Sequence, residues 1–212
     1  MKALLILFFL LFFSNGYTGE IKESSLYAIV DVETTGLDPN YHEMIDIGII
    51  IINQNLEVKG QYYSKVLPNF PERIDPMAKH INGFDLQRWT QEEAISEGEL
   101  IEGMSVFFNS YVGKPIFIAF NSWFDSGFVR NLLQEHGYKF NDWFDYRVLD
   151  IPSIALACGY FPETPDFNAK LATLLEVQPE TKDPLKHTGE SGVNFNYELL
   201  TSLMNQGCFN YN

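Results

Sequence analysis

The sequence predicts a single α/β domain, and three stretches carry that expectation. Leu26 to Val30, Met44 to Ile52 and Gln61 to Val66 read as strands, with Asn53-Gln54-Asn55 turning the second into the third, so the first part of the chain is a β-meander. Ile116-Phe-Ile-Ala119 reads as a short buried strand between two helical patterns. In the first pattern Leu100, Ile101, Met104, Phe107 and Phe108 recur at helical spacing between Glu99 and Ser110; in the second Phe124, Phe128 and Leu132 fall four apart. Strands interleaved with amphipathic helices bury their apolar faces as a sheet covered by helices. The helical stripes are core.

Composition narrows the choice further. At 212 residues, 46% hydrophobic and 15% aromatic, the chain can bury a substantial core, which excludes a disordered protein. Its net charge of −14 opposes approach to a polyanion, so any affinity for nucleic acid has to reside in a local site assisted by cations. Lys2 followed by the apolar run Ala3 to Phe13 and by Ser14-Asn15-Gly16 has the architecture of a signal peptide, giving the expected division 1–16 leader and 17–212 single domain. The run is shorter than the roughly 20 residues that span a bilayer. The expected location is therefore outside the cytoplasm (secreted, periplasmic or lumenal), with a retained membrane anchor as the alternative. Cys158 and Cys208 could pair on that route or remain as buried thiols.

Elsewhere, Pro68, Pro71 and Pro76 mark a loop that leads into a short helix and turn over Ile74 to Phe84. Pro152 is expected to break the chain before a helix around Ser153 to Ala157, and Asn168 to Leu175 offers another. Pro179 to Gly192 is the one long polar loop. His42, His80 and His136 have ordinary turn or helix surroundings.

The chemistry-bearing segment is Asp31-Val-Glu-Thr-Thr-Gly-Leu-Asp-Pro39, at the end of the first strand. Side chains alternate across a strand, so Asp31 and Glu33 point to one face; taken alone, two such carboxylates fit either acids that cap the following turn or a site for a divalent cation that relieves their repulsion. This run resembles the first motif of the DEDD exonuclease superfamily, in the style of the three-prime repair exonucleases. Phe120-Asn-Ser-Trp-Phe-Asp125 is similar to the second motif, with Phe120 where a His is common, and Ile74 to Phe84 resembles the segment that presses on the terminal base. The resemblance implies a ribonuclease H-like fold: a five-stranded mixed sheet, one strand antiparallel, with helices on both faces. It further implies metal ligands at Asp31, Glu33 and Asp125 for Mg2+ or Mn2+, a general base at His187, and nucleotide contacts at Thr35, Leu37, Ile81, Asn82, Asn121 and Phe124. Taken from the residues alone, Ile81 fits a core position and Asn82 a turn equally well.

One motif departs. His187-Thr-Gly-Glu-Ser-Gly192 resembles the last motif, in which a carboxylate follows the His by five residues, and Gly192 stands in that place. Glu190 is the candidate substitute ligand. Two functions follow. The first is a metal-dependent 3′–5′ exonuclease that releases nucleoside monophosphates from single-stranded DNA or RNA 3′ ends, weakened by Gly192. The alternative is a catalytically inactive relative that binds such ends or a protein partner.

Overall fold

The computed structural model describes residues 25–161 and 166–208, so the expected leader lies outside the described residues. Five strands form one sheet: β1 (Tyr27–Thr34), β2 (Met44–Ile52), β3 (Val58–Lys65), β4 (Ile116–Ala119) and β5 (Val148–Asp150). Their order is β3-β2-β1-β4-β5. β2 runs antiparallel to β1 and β3, while β4 lies parallel to β1 and β5 parallel to β4, so β2 is the single reversed strand. The mixed sheet expected from the sequence is the one observed.

Eight α-helices accompany it among the described residues: α1 (Pro76–Asn82), α2 (Leu86–Gln91), α3 (Glu97–Asn109), α4 (Ser122–Glu135), α5 (Phe140–Trp143), α6 (Ile151–Ala157), α7 (Phe167–Leu174) and α8 (Gly189–Asn205). Strand alternation divides the core in two. Ala28, Val30 and Val32 face a layer built from α3, α4 and α5, through Leu100, Met104, Phe128, Val129 and Phe144. Ile29 faces the opposite layer with Ile50, Ile118 and the apolar sides of α6, α7 and α8. By the same parity Asp31 and Glu33 continue the row that Ile29 begins. The carboxylates thus stand at the end of an otherwise apolar face.

Local chemistry explains the element ends. Asp75 accepts hydrogen bonds from the Met77 and Ala78 amides, and Gly83 closes α1 with φ of 60°. A capping box between Ser96 and Glu99 starts α3. Pro152 does not precede α6 as expected but sits inside its first turn, where a missing N–H costs nothing, and Asp150 caps that turn by accepting from the Ser153 amide. The short α2 and α5 had no readable periodicity. α2 is held because Trp89 packs on Phe84 and Ile45 and donates from Nε1 to the Ile45 carbonyl at 2.7 Å. Cys158 and Cys208 are joined as a disulfide, with Cα atoms 5.5 Å apart, linking the end of α6 to the residues after α8.

The first turn of α8 lies directly on the backbone of β1 and β2. A Cβ on Gly48 would collide with the Gly189 carbonyl, and one on Gly189 would lie 2.7 Å from the Gly48 nitrogen and 2.9 Å from the Asp31 carbonyl oxygen. Neither glycine can carry a side chain without moving the helix off the sheet. Gly48→Ala is therefore expected to destabilise the fold by about 1–3 kcal/mol, a melting temperature lower by about 2–4 °C per kcal/mol. Gly98→Ala is the control. Its Cβ would meet only Ser96 Oγ, at 4.0 Å, so thermal unfolding should be unchanged or slightly raised.

Candidate active site

The sheet end, α1, the start of α4 and the loop before α8 enclose a cleft of about 490 Å3. Asp31, Glu33, Asp125, Glu180 and His187 all line it. Glu33 is buried at the rim of β1, opposite Asp46 on β2, while Asp31 keeps partial exposure. Asp125 is buried in the first turn of α4, where its Oδ1 accepts the Val32 amide proton at 3.0 Å. That bond ties α4 to the strand bearing the other two carboxylates. The start of α4 is in turn held by Asp150 at the end of β5, whose Oδ1 accepts from the Ser122 amide at 3.1 Å. Asn121, before the helix, has φ of 58°, a conformation that Asn tolerates better than most residues.

His187 comes from the polar loop. Its Nδ1 lies 3.1 Å from the Thr181 carbonyl and 3.5 Å from Glu180 Oε1, and its Nε2 lies 3.2 Å from Glu33 Oε1. A carbonyl can only accept, so Nδ1 carries a proton and donates it to Thr181. Nε2 is then the ring nitrogen that faces the acids. The loop is seated from below by Asp46, which accepts from the Gly189 amide at 3.1 Å and from the Tyr63 hydroxyl at 3.0 Å. Neither Asp46 nor Glu180 stood out in the sequence, because Asp46 meets the distant Gly189 amide and Glu180 the field of the distant Asp31 and Glu33 only in the fold.

Burial, reinforced at Asp31 and Glu33 by the neighbouring acids, governs the ionisation of these groups. Burial, and then Asp125, Glu180, Glu33 and Asp46, hold the Asp31 carboxyl well above the usual range. Glu33 is raised by burial, then by Asp46 and Glu180, with the Asn82 side chain opposing. Burial pushes Asp125 up to about 8 and Asp46 to about 7, each partly offset by its hydrogen bonds. Glu180 is likewise raised by burial, with His187 pulling the other way.

Among the described residues no three His, Cys, Asp or Glu side chains are already drawn into a ready-made metal cage. Asp125 is tied to Val32, and Asp31 Oδ1 accepts from Asn196 Nδ2 at 3.2 Å. The donor set nevertheless fits a hard divalent cation. It consists of carboxylate oxygens on one cleft wall, hard ligands whose proton affinity is raised by burial and by neighbouring acids.

Two readings change at α8. A Cβ at Gly192 would run into the Asp31 carboxylate, so the position is not a gap: Asp31 itself fills it, steadied by Asn196 one helical turn on. Glu190 does not turn toward the cleft. It is exposed, and it lines a separate groove with Tyr62, Tyr63 and Asn194 on the β2–β3 side. As the second residue of α8 it faces away from Gly192's side of the helix, which excludes it as the substitute ligand.

The expected nucleotide contacts divide into two groups. Leu37, Ile81, Asn121 and Phe124 line the cleft, and Leu37 and Ile81 are exposed. Met77 and Trp123 line it too, and Trp123 is 72% exposed, a large apolar surface left open at the rim. Trp123 was passed over in the sequence because it lies off the Phe124–Phe128 stripe. Thr35 and Asn82 are internal ties. Thr35 is fully buried, its Oγ1 accepting from the Glu43 amide at 2.9 Å, and it is not among the cleft-lining residues. Asn82 lines the cleft but is buried, donating to the Thr34 carbonyl at 3.0 Å and accepting from the Phe84 amide. Gly36 is needed where it stands, since a Cβ there would strike the His42 ring.

Comparison with solved structures defines the class. The fold superposes on E. coli exonuclease I in complex with a dA16 oligonucleotide, with a TM-score of 0.69, 18% identity, and coverage of 86% of this chain and 41% of that one. It superposes on the nuclease domain of 3′hExo, a DEDDh family member bound to rAMP, with a TM-score of 0.64 at 18% identity over 88% of this chain and 95% of that one. The architecture is the ribonuclease H-like fold of these nucleases. Residues 28–190 match the exonuclease family (RNase_T), and the chain belongs to that family. Among curated relatives, the oligoribonuclease of Aliivibrio fischeri is 29% identical over 155 residues, covering 70% of this chain and 83% of that protein. The PolC-type DNA polymerase III of Thermotoga petrophila is 29% identical over 108 residues, which are 51% of this chain but 7% of the polymerase. The chain thus matches a small part of the polymerase and less than half of exonuclease I.

The crowded acids set a pH dependence. The folded state keeps protons on Asp125 to about pH 8 and on Asp46 to about pH 7, whereas the unfolded chain releases them near about pH 4. Between those limits the native state binds more protons, so its stability falls as pH rises. In EDTA the melting temperature should decline from pH 5 to pH 8, Asp125→Asn should flatten the decline, and Mn2+ should reverse it at the alkaline end.

Proposed function

We propose that this chain is a divalent-metal-dependent 3′–5′ exonuclease that removes nucleoside monophosphates from single-stranded nucleic-acid 3′ ends. The observation that carries the reading is the placement of His187 Nε2 against Glu33 in a cleft shared with Asp31 and Asp125, inside a domain of the exonuclease family. Asp31, Glu33 and Asp125 would hold Mg2+ or Mn2+, which when bound supplies an activated water and neutralises charge on the phosphate.

The remaining work falls to the protein. Thr181 fixes the imidazole with its proton on Nδ1, so Nε2 is the atom available to take a proton from the attacking water. The contact of Nε2 with Glu33 Oε1, at 3.2 Å, holds that nitrogen toward the acids. Leu37, Ile81, Trp123 and Phe124 present apolar and aromatic surface to the terminal nucleotide, a mode that tolerates any base. The bulk charge of −14 gives no steering toward a polyanion, so capture depends on this local surface and on cations. Relative to a site with a carboxylate at position 192, hydrolysis is weakened. Gly192 also favours a second reading, an end-binding protein without hydrolysis.

Export remains part of the proposal. It is supported by the apolar run Ala3 to Phe13 and by the Cys158–Cys208 pairing, which suits an oxidising compartment. Protein recovered outside the producing cell should lack residue 1–16, and an N-terminus at Met1 would refute cleavage.

With Mn2+ and a 5′-labelled oligonucleotide, the protein should yield a ladder shortening from the 3′ end, and Asp31→Ala should abolish it. No Asp31-dependent shortening at high enzyme would leave the end-binding reading, checked by retention of the labelled oligonucleotide. Trp123→Ala should raise KM about tenfold with little change in kcat, as expected for loss of one stacking surface.

A further inference from the structure

We infer that Glu180 supplies the fourth carboxylate of the metal cluster, brought in by the loop that carries His187 instead of by α8. The inference rests on the metal-dependent reading above.

The space argument comes first. A side chain at position 192 would meet Asp31 head on, and Gly192 lets the Asp31 carboxylate lie against α8, where Asn196 holds it. No acid can be added from α8 at that point without displacing Asp31. Glu190, the other acid of that turn, looks into a different groove. The loop supplies what the helix lacks. Glu180 lines the same cleft as Asp31, Glu33 and Asp125, and its field reaches both Asp31 and Glu33.

The cost of its position points the same way. The Glu180 side chain is 17% exposed, and its ion-pair partner among the described residues is His187, with Nδ1 at 3.5 Å. His187 already donates that Nδ1 proton to the Thr181 carbonyl, at the shorter distance of 3.1 Å. A carboxylate drawn out of water beside Asp31 and Glu33, with one shared and longer contact to an imidazole, is poorly compensated by the protein alone. A divalent cation between these acids balances the arrangement, and a glutamate's extra methylene suits an approach from a loop.

The test measures Mn2+ binding to the full chain by titration calorimetry without nucleic acid, comparing wild type, Glu180→Gln and Glu190→Gln. Glu180→Gln should weaken Mn2+ binding by at least about tenfold or remove one bound ion, and Glu190→Gln should bind as wild type. Melting in EDTA separates a ligand from a structural tie. As a ligand, Glu180 repels its neighbours when the metal is absent, so Glu180→Gln should melt at the same temperature or higher, with a smaller rise on adding Mn2+. Unchanged Mn2+ binding by Glu180→Gln, or an EDTA melting temperature lowered by the substitution with the Mn2+ increment intact, would overturn the inference and leave the exonuclease reading standing. Wild-type protein that binds no Mn2+ at millimolar concentration would overturn the metal-dependent reading, and this inference with it.

Discussion

Like-charge repulsion in a dry corner of the fold is the constraint around which this structure is arranged. Asp31, Glu33, Asp46 and Asp125 come from β1, β2 and α4 and meet where the apolar row led by Ile29 runs out. Burial raises the proton affinity of all four, and Glu33, Asp46 and Asp125 each raise that of Asp31 further. The fold tolerates this because the acids are tied to backbone donors: Asp125 to the Val32 amide and Asp46 to the Gly189 amide. Those ties hold α4 and α8 in register with the sheet. The same groups that destabilise the site electrostatically therefore fix its geometry.

A second constraint is steric. Gly48 and Gly189 let the first turn of α8 touch the sheet backbone, which brings the preceding loop, and His187 with it, over Glu33. Gly192 extends this close contact to the Asp31 carboxylate. Viewed along the sequence, Gly192 is a missing acid. Viewed in the fold, it is the second glycine, after Gly189, in a helix face that must lie flush with β1 and β2, and Glu180 stands on the other side of His187.

The cleft joins that acidic wall to an apolar rim of Leu37, Met77, Ile81 and Trp123. On the proposed function the two surfaces would take the two halves of a nucleotide: stacking and apolar contact for base and sugar, and the acidic wall with its cation for phosphate. On that function, phosphate neutralisation would be confined to that one spot, which suits a nucleic-acid end better than a long stretch of backbone.

Much of this was legible in the sequence. Strand β2 was read with the same bounds it has in the structure, β4 likewise, and the parity of Asp31 and Glu33 followed from alternation alone. Periodicity and ordered motifs report local geometry, and local geometry is what a chain writes most directly into its sequence. Short elements escaped, since α2 and α5 exist through Trp89, Phe140 and Trp143 packing on distant residues. So did the roles of Thr35 and Asn82, which are hydrogen-bonded inside the turn and not free at the surface. The sequence by itself determined the family, the sheet and the three acids with their histidine. Only the tertiary structure decided that Glu190 turns away, that Gly192 is filled by Asp31 and that Glu180 enters the cleft, because charge repulsion and close packing act through space between residues that no spacing along the chain relates.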